Sequence, residues 1–209
     1  MKTIITAILA LVLFALVGCE KQENPVPKVD LHSAVVTDNL DAIRQHIKAG
    51  SDLNVLESTR ESTPLITAAA IGRTEAAEIL IDGGADMNYK NADGSTALHT
   101  AVAFDNTEVA KILIDAGIDL NIKNNDGSTA LHTAAFFCNV EIVEALLEKG
   151  ADKTLKNKNL ATALEIVEIP FEDVKGVYDA IGARLYPLGI TLDYDHIKST
   201  RPKIAEMLK

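Results

Sequence analysis

Asp93-Gly94-Ser95-Thr96-Ala97-Leu98-His99-Thr100-Ala101 recurs, residue for residue, as Asp126-Gly127-Ser128-Thr129-Ala130-Leu131-His132-Thr133-Ala134, an offset of 33 residues. The same register reaches back to Thr63-Pro64-Leu65 and forward to Thr162-Ala163-Leu164. A second landmark closes each of the first four units: Ala49-Gly50-Ser51-Asp52, Gly83-Gly84-Ala85-Asp86, Ala116-Gly117-Ile118-Asp119 and Lys149-Gly150-Ala151-Asp152. Gly50, Gly84, Gly117 and Gly150 are spaced 34, 33 and 33 apart. The extra residue of the first interval falls in the loop Val55 to Ser62. A fixed period of this length marks a repeat architecture.

Each unit reads as helix, turn, helix, loop. In the third, Thr96 is placed to cap a first helix, whose apolar side is Ala97, Leu98 and Ala101. Asp105-Asn106 breaks it. Val109, Ala110, Ile112, Leu113 and Ile114 form a second, strongly apolar helix, and Gly117 ends it as a left-handed cap. Neither helix can bury its apolar side alone, so neighbours must stack into one continuous core.

The pattern resembles the ankyrin repeat: D-x-x-G-x-T-P-L-H-x-A-A, a second helix, then G-A-D-x-N. Thr63-Pro64-Leu65 keeps the proline but has Ile66 at the histidine position. The third and fourth units keep His99 and His132 but carry Ala97 and Ala130 for proline. The first unit starts without a finger at Asp30-Leu31-His32-Ser33-Ala34, and the fifth departs after Thr162-Ala163-Leu164. The resemblance spans about Val29 to Val167. It implies an all-α solenoid of helix-turn-helix repeats with β-turn fingers, closed by a C-terminal helical cap. It also implies that the repeated histidines are structural and bond to neighbouring backbone.

The N-terminus reads as an address. Lys2 precedes an uncharged run, Thr3 to Gly18, shorter than the ~20 apolar residues of a spanning helix. Leu16-Val17-Gly18-Cys19 resembles the lipobox of bacterial lipoprotein signal peptides, which implies cleavage before Cys19 and lipidation of its thiol. By the same resemblance, Glu20 after the cysteine favours the outer membrane and its periplasmic face in a Gram-negative cell. Residues 1–18 are thus read as signal peptide and 19–28 as a lipidated tether of at most ~30 Å from Lys21 to Lys28. Residues 29–168 are the repeats, and 169–209 a capping segment. In that segment Phe171, Val174, Val177, Tyr178, Ile181 and Leu185 share one helix face behind Pro170. Ile197, Ile204, Met207 and Leu208 mark a second helix, with Pro202 placed to restart it.

The chain carries 20 basic and 30 acidic residues, a formal charge of -10. Polyanions are repelled by such a surface, which argues against nucleic acid or an anionic membrane surface as a broad partner. The expectation is no catalysis, no metal, no cofactor and no small-molecule substrate. His99 and His132 stand about one helix spacing, roughly 10 Å, apart, too far to share a metal. His46 and His196 stand alone. Asn91-Ala92-Asp93-Gly94 and Asn124-Asn125-Asp126-Gly127 resemble calcium loops only superficially, because Thr100 and Thr133 occupy the place of the closing glutamate. They read as tight turns. Cys138 sits where the second unit has Gly72. With Cys19 lipidated it has no partner in the chain, and a redox or enzymatic role for it is the rival reading. A third reading is an envelope architectural protein that contacts partners through its C-terminal helices.

The leading expectation is protein binding through a concave groove, as an immunity, inhibitor or accessory protein for an envelope or periplasmic partner. Carried over position by position, the fingertips are Ala92, Asp93 and Ser95, then Asn125, Asp126 and Ser128. The groove-facing helix positions include Ile71, Phe104, Phe136 and Phe137. Aromatics are only 4% of the chain and tryptophan is absent, so three Phe in one groove point to an apolar hot spot. An acidic surround would suit a partner with a basic rim.

Overall fold

Eleven α-helices and one 3-10 turn, with no strand, make up the described residues of the computed structural model, 25–188 and 191–209. Residues 1–24, with the expected signal peptide and the expected lipidation site Cys19, lie outside them. Four helix pairs follow in order: α1 (Leu31–Val36) with α2 (Leu40–Lys48), α3 (Pro64–Ile71) with α4 (Thr74–Asp82), α5 (Ala97–Ala103) with α6 (Thr107–Asp115), and α7 (Ala130–Phe137) with α8 (Val140–Glu148). Then come α9 (Ala163–Glu168), α10 (Phe171–Leu185), the 3-10 turn Tyr186–Leu188, and α11 (Tyr194–Leu208). The first helices of the units stack on one another as an inner layer, and the second helices stack behind them.

Helices this short are unstable alone, so packing must hold them. The inner layer buries one spacing, i, i+3, i+4: Leu31, Ala34 and Val35; Leu65, Ala68 and Ala69; Leu98, Ala101 and Val102; Leu131, Ala134 and Ala135. One leucine per unit supplies the bulk, each worth about 1.5–3 kcal/mol of burial. The alanines let neighbouring helices approach closely. The outer layer buries i, i+1, i+4: Ala42, Ile43 and His46; Ala76, Ala77 and Leu80; Val109, Ala110 and Leu113; Ile142, Val143 and Leu146.

Backbone conformation repeats with the same period. The turn inside each pair has a left-handed residue: Asp38 (φ 57°), Gly72 (φ 69°), Asp105 (φ 57°) and Cys138 (φ 60°). The fingers dock edge to edge, since Ala92 N donates to Arg60 O (2.9 Å), Asn125 N to Asp93 O (3.0 Å) and Lys158 N to Asp126 O (3.0 Å). An asparagine ladder joins the closing loops. Asn54, Asn88 and Asn121 accept through Oδ1 from the backbone N–H of Asp86, Asp119 and Asp152 at 2.9, 3.1 and 2.9 Å.

The fifth unit is completed from far along the chain. Helix α9 supplies the inner helix, with Ala163 and Val167 buried. Helix α11 packs against α9 and α8 in the outer layer, and Ile204, Ala205 and Leu208 repeat the i, i+1, i+4 core spacing. In that register Pro202 falls where Leu40, Thr74, Thr107 and Val140 begin the other outer helices. The reading of Pro202 as a restart is therefore corrected, because the helix runs on upstream to Tyr194. Pro202 costs one hydrogen bond in the helix interior. The turns before it are held by an Asp193 cap on the His196 N–H (2.9 Å), by buried Ile197 and by the bonds of Arg201. Everything between α9 and α11 is an insertion, and α10 is its body.

Candidate functional site

The face expected to bind is made of the fingertips and the exposed side of the inner layer. Each finger is a turn closed by one asparagine. Asn91 Oδ1 accepts from Asp93 N and Ser95 N, both at 3.0 Å, and Asn124 and Asn157 repeat the arrangement. Ala92, Asp93, Asn125 and Asp126 are exposed, and Ser95 and Ser128 are half-buried. Two of these positions also hold the scaffold. Asn125 Nδ2 donates to Ala92 O (2.9 Å), and Ser128 O accepts from His99 Nε2 (3.0 Å).

The two histidines link neighbouring units. His99 Nδ1 lies 3.4 Å from Thr96 N and 3.0 Å from Thr96 Oγ1; His132 repeats this with Thr129 and places Nε2 3.1 Å from Ala161 O. A carbonyl can only accept, so Nε2 carries the proton and Nδ1 accepts from the backbone N–H. Burial is the main reason both imidazoles have lowered pKa values. They are neutral pins, as the resemblance implied.

The groove divides into two parts. Its middle is an open cleft of about 420 Å³ over units two and three, lined by Ile66, Ala70, Asp93, Ser95, Ala103 and Phe104 among others. Ile71, at the neighbouring helix end, is 46% exposed. Its C-terminal part is roofed by α10. Val174, Val177 and Ile181 of α10 face Thr133, Phe136 and Phe137 of α7 across a cleft of about 470 Å³, with Ile166 and Ile169 at the back and two fingers in front. A third hollow of about 170 Å³ joins Phe104 and Phe137 to Leu192 and His196 of the insertion.

The three rings expected on one open surface are therefore placed differently. Phe104 and Phe137 are half-buried and line clefts. Phe136 is half-buried beneath the chain's own insertion: its ring stacks on Tyr178 at 4.4 Å and meets Phe137 edge-on at 5.1 Å. Tyr178 is fully buried, and its hydroxyl donates to Phe136 O (2.6 Å) while accepting from Arg201 Nη1 (2.9 Å). Arg201 Nη2 donates to Ile166 O and Ile169 O, both at 2.7 Å, capping the end of α9. Desolvation pushes the Tyr178 hydroxyl up to about 12, so it remains a neutral donor.

Cys138 belongs to this same small cluster, with Tyr178 and Ile197. Its thiol is 1% exposed and lies 3.5 Å from Ile197 O; burial pushes its pKa up to about 11, although Arg201 pulls the other way. A reactive thiol needs exposure and a lowered pKa. The burial of Cys138 argues against the redox or enzymatic reading of its thiol. It is a small, left-handed turn residue over which the insertion closes. No group of His, Cys, Asp or Glu able to hold a metal is found among the described residues.

The residues missed from the sequence are Val174, Val177 and Ile181 as groove walls, Lys158 at the mouth, and Arg201 behind. The heptad-like spacing of the first three was visible, but not the surface they would cover.

The fold and this site define a helical-repeat scaffold with partly apolar clefts between its fingers and inner helices. The ankyrin-repeat family description, in its three-copy form, matches residues 31–124 and 83–157, and the chain belongs to that family. Ankyrin repeats are typically non-catalytic, and they mark the chain as a protein-interaction module. One curated relative is an ARF GTPase-activating protein, Git, of Drosophila melanogaster, 35% identical over 77 residues, which are 37% of this chain. The matched stretch spans only 10% of that protein's length.

Proposed function

We propose that the chain is a lipid-anchored, non-catalytic binding protein of the bacterial envelope that captures a protein partner on its concave face. The observation that carries the binding half is the open cleft over units two and three, where Phe104 lies half-buried among exposed and half-buried finger residues. A surface rigidly set by stacked repeats loses little entropy when a partner docks. The anchoring half is supported by sequence alone: Lys2, the apolar run and Leu16-Val17-Gly18-Cys19 followed by Glu20. An immunity, inhibitor or accessory role would use the same geometry, with the lipid setting location on the periplasmic face of the outer membrane. Stable anchoring requires more than one acyl chain.

Two measurements test this. In a Gram-negative host, the full chain should incorporate labelled palmitate and sediment with membranes, and Cys19→Ser should abolish both. A labelled chain that stays soluble removes the anchor. The paired substitutions Phe104→Ser and Phe137→Ser should abolish capture of a partner from envelope extract while leaving the melting temperature nearly unchanged. A large loss of stability would make both rings core.

A further inference from the structure

The roofed cleft between α7 and α10 has apolar walls that do not meet. Val177 remains 50% exposed and Ile169 40% exposed, and Phe137 is only half-buried. A self-contained cap would have closed this gap, because open apolar walls forfeit burial and dispersion. The gap of about 470 Å³ lies within the range of ligand pockets.

The charge around it runs against the rest of the chain. Formal charge overall is -10, yet the lining holds the cations Lys158 and Arg201 against one carboxylate, Asp126. Lys158 makes no ion pair among the described residues. Outside the lining, Lys123 Nζ donates to Lys156 O (2.8 Å) with Asp152 nearby, and Lys156 is paired with Glu165 at 3.5 Å. On α10, Glu172 and Asp179 are tied to Lys198 and Lys175, and exposed Asp173 has no ion pair among the described residues. Arg201 is 4% exposed, and its partners are two carbonyls and a neutral phenol, with no carboxylate of the described residues in ion-pair distance. Neutral acceptors do not cancel a buried charge, and the low dielectric carries its field into the cleft. Asn124 and Asn157 use their side-chain oxygens within their own turns, and their N–H₂ groups have no acceptor among the described residues.

We infer that this cleft is a clamp for a peptide segment of the partner in which adjacent apolar side chains are flanked by carboxylates. The inference rests on the protein-binding reading and specifies the chemistry of one part of that surface. Apolar side chains fill the space between Phe137 and Val177. The flanking carboxylates and peptide carbonyls meet Lys158 and the amides of Asn124 and Asn157. A partner with a basic rim is excluded from this end.

The test is selection of short random peptides displayed on phage against the immobilised full chain. Selected peptides should pair apolar residues with net negative charge. Their affinity should fall roughly tenfold or more with Val177→Asp and with Lys158→Glu, and persist with Lys158→Arg. Val177 is half-exposed and Lys158 is exposed, so the variants should keep the wild-type melting temperature, and a variant that does not is replaced by Val177→Ser. Net-positive peptides, or peptides whose affinity neither substitution changes, overturn the clamp. Binding that survives both substitutions but is lost with Phe104→Ser overturns it while leaving the concave-face reading intact. Absence of any selected peptide overturns the clamp, and absence of partner capture as well removes both.

Discussion

Leu160 holds a left-handed backbone (φ 61°) while its side chain is 74% exposed. It stands in register with Glu61, Gly94 and Gly127, the corner of each finger, which have φ of 55°, 71° and 73°. At Gly94 a Cβ would lie 2.7 Å from Asn125 N, and at Gly127 2.9 Å from Lys158 N, because the next finger docks there. Leu160 is in the last finger, where no further finger follows, so a side chain meets only the strain of the left-handed region. Leu160→Gly should stabilise by about 0.5–1 kcal/mol, the strain relieved less the entropy glycine adds to the unfolded chain. Gly127→Ala should destabilise by more than ~1 kcal/mol, since it combines that strain with a backbone clash. Urea melts of the two variants check both signs. The histidine pins give a pH dependence. Folded His99 and His132 titrate below 6.5, so just below that value the unfolded chain binds more protons. Their contribution is present above 6.5 and is lost as pH falls toward the folded values. Protonating Nδ1 also sets an N–H against the Thr96 or Thr129 N–H. The melting temperature should drop by a few degrees between pH ~7.5 and ~5. The drop should be smaller in the His99→Gln, His132→Gln double variant; an equal drop would assign the pH dependence to other groups.

Helix α10 is held by a separate, small cluster: Cys138, Tyr178 and Ile197, with Phe136, Phe171, Val174, Leu192 and Tyr194 around them. The main core contains none of these. Elements with little buried area open at low free energy. The Tyr178 hydroxyl is the polar centre of the cluster, linking Phe136 O to Arg201. Tyr178→Phe leaves ring packing intact but deprives buried Arg201 and the carbonyl of a partner, at about 1–3 kcal/mol. Opening of α10 uncovers Cys138. The native thiol should react with an aromatic disulfide reagent far more slowly than free cysteine, and Tyr178→Phe should speed that reaction without a matching change in urea midpoint. Equal rates in both proteins would mean that α10 moves only with global unfolding. The apolar spacing of α10 was legible from Phe171 to Leu185. Its destination was not, since a helix face does not say whether it covers the end of the last repeat or the side of the groove. Contact with Phe136 decided that.

Stacking makes the solenoid a chain of nearest-neighbour interfaces, each worth a similar amount. Helix α11 closes the last one. Removing residues 194–209 strips Ile204, Ala205 and Leu208 from the main core and uncovers α8 and α9. Urea unfolding of this truncated chain should lose its single transition, with the fourth and fifth units melting first and units one to three persisting; a single transition at an unchanged midpoint would show that α11 adds no stability. The exposed ion pairs between outer helices, Arg44 with Glu75 (2.9 Å) and Lys149 with Asp115 (2.8 Å), add little to this. The first four units were legible because their signals are local: Asp or Thr caps, glycine at the finger corners Gly94 and Gly127 where a Cβ would crowd backbone, and two fixed core spacings. They recur with one period, and that alone dictates stacked pairs with a fingered edge. Tertiary structure decided what has no local signal. The fifth outer helix lies beyond an insertion, so Pro202 could be placed in register only once α11 was seen against α8 and α9. Phe136 and Cys138 carry the same positions as open or glycine sites in other units, and were closed by residues some forty to sixty positions away. The cationic lining of the cleft arises where Lys158 of one finger and Arg201 of the last helix converge. Sums over the chain cannot reveal this, because net charge averages over distances that the Coulomb interaction does not.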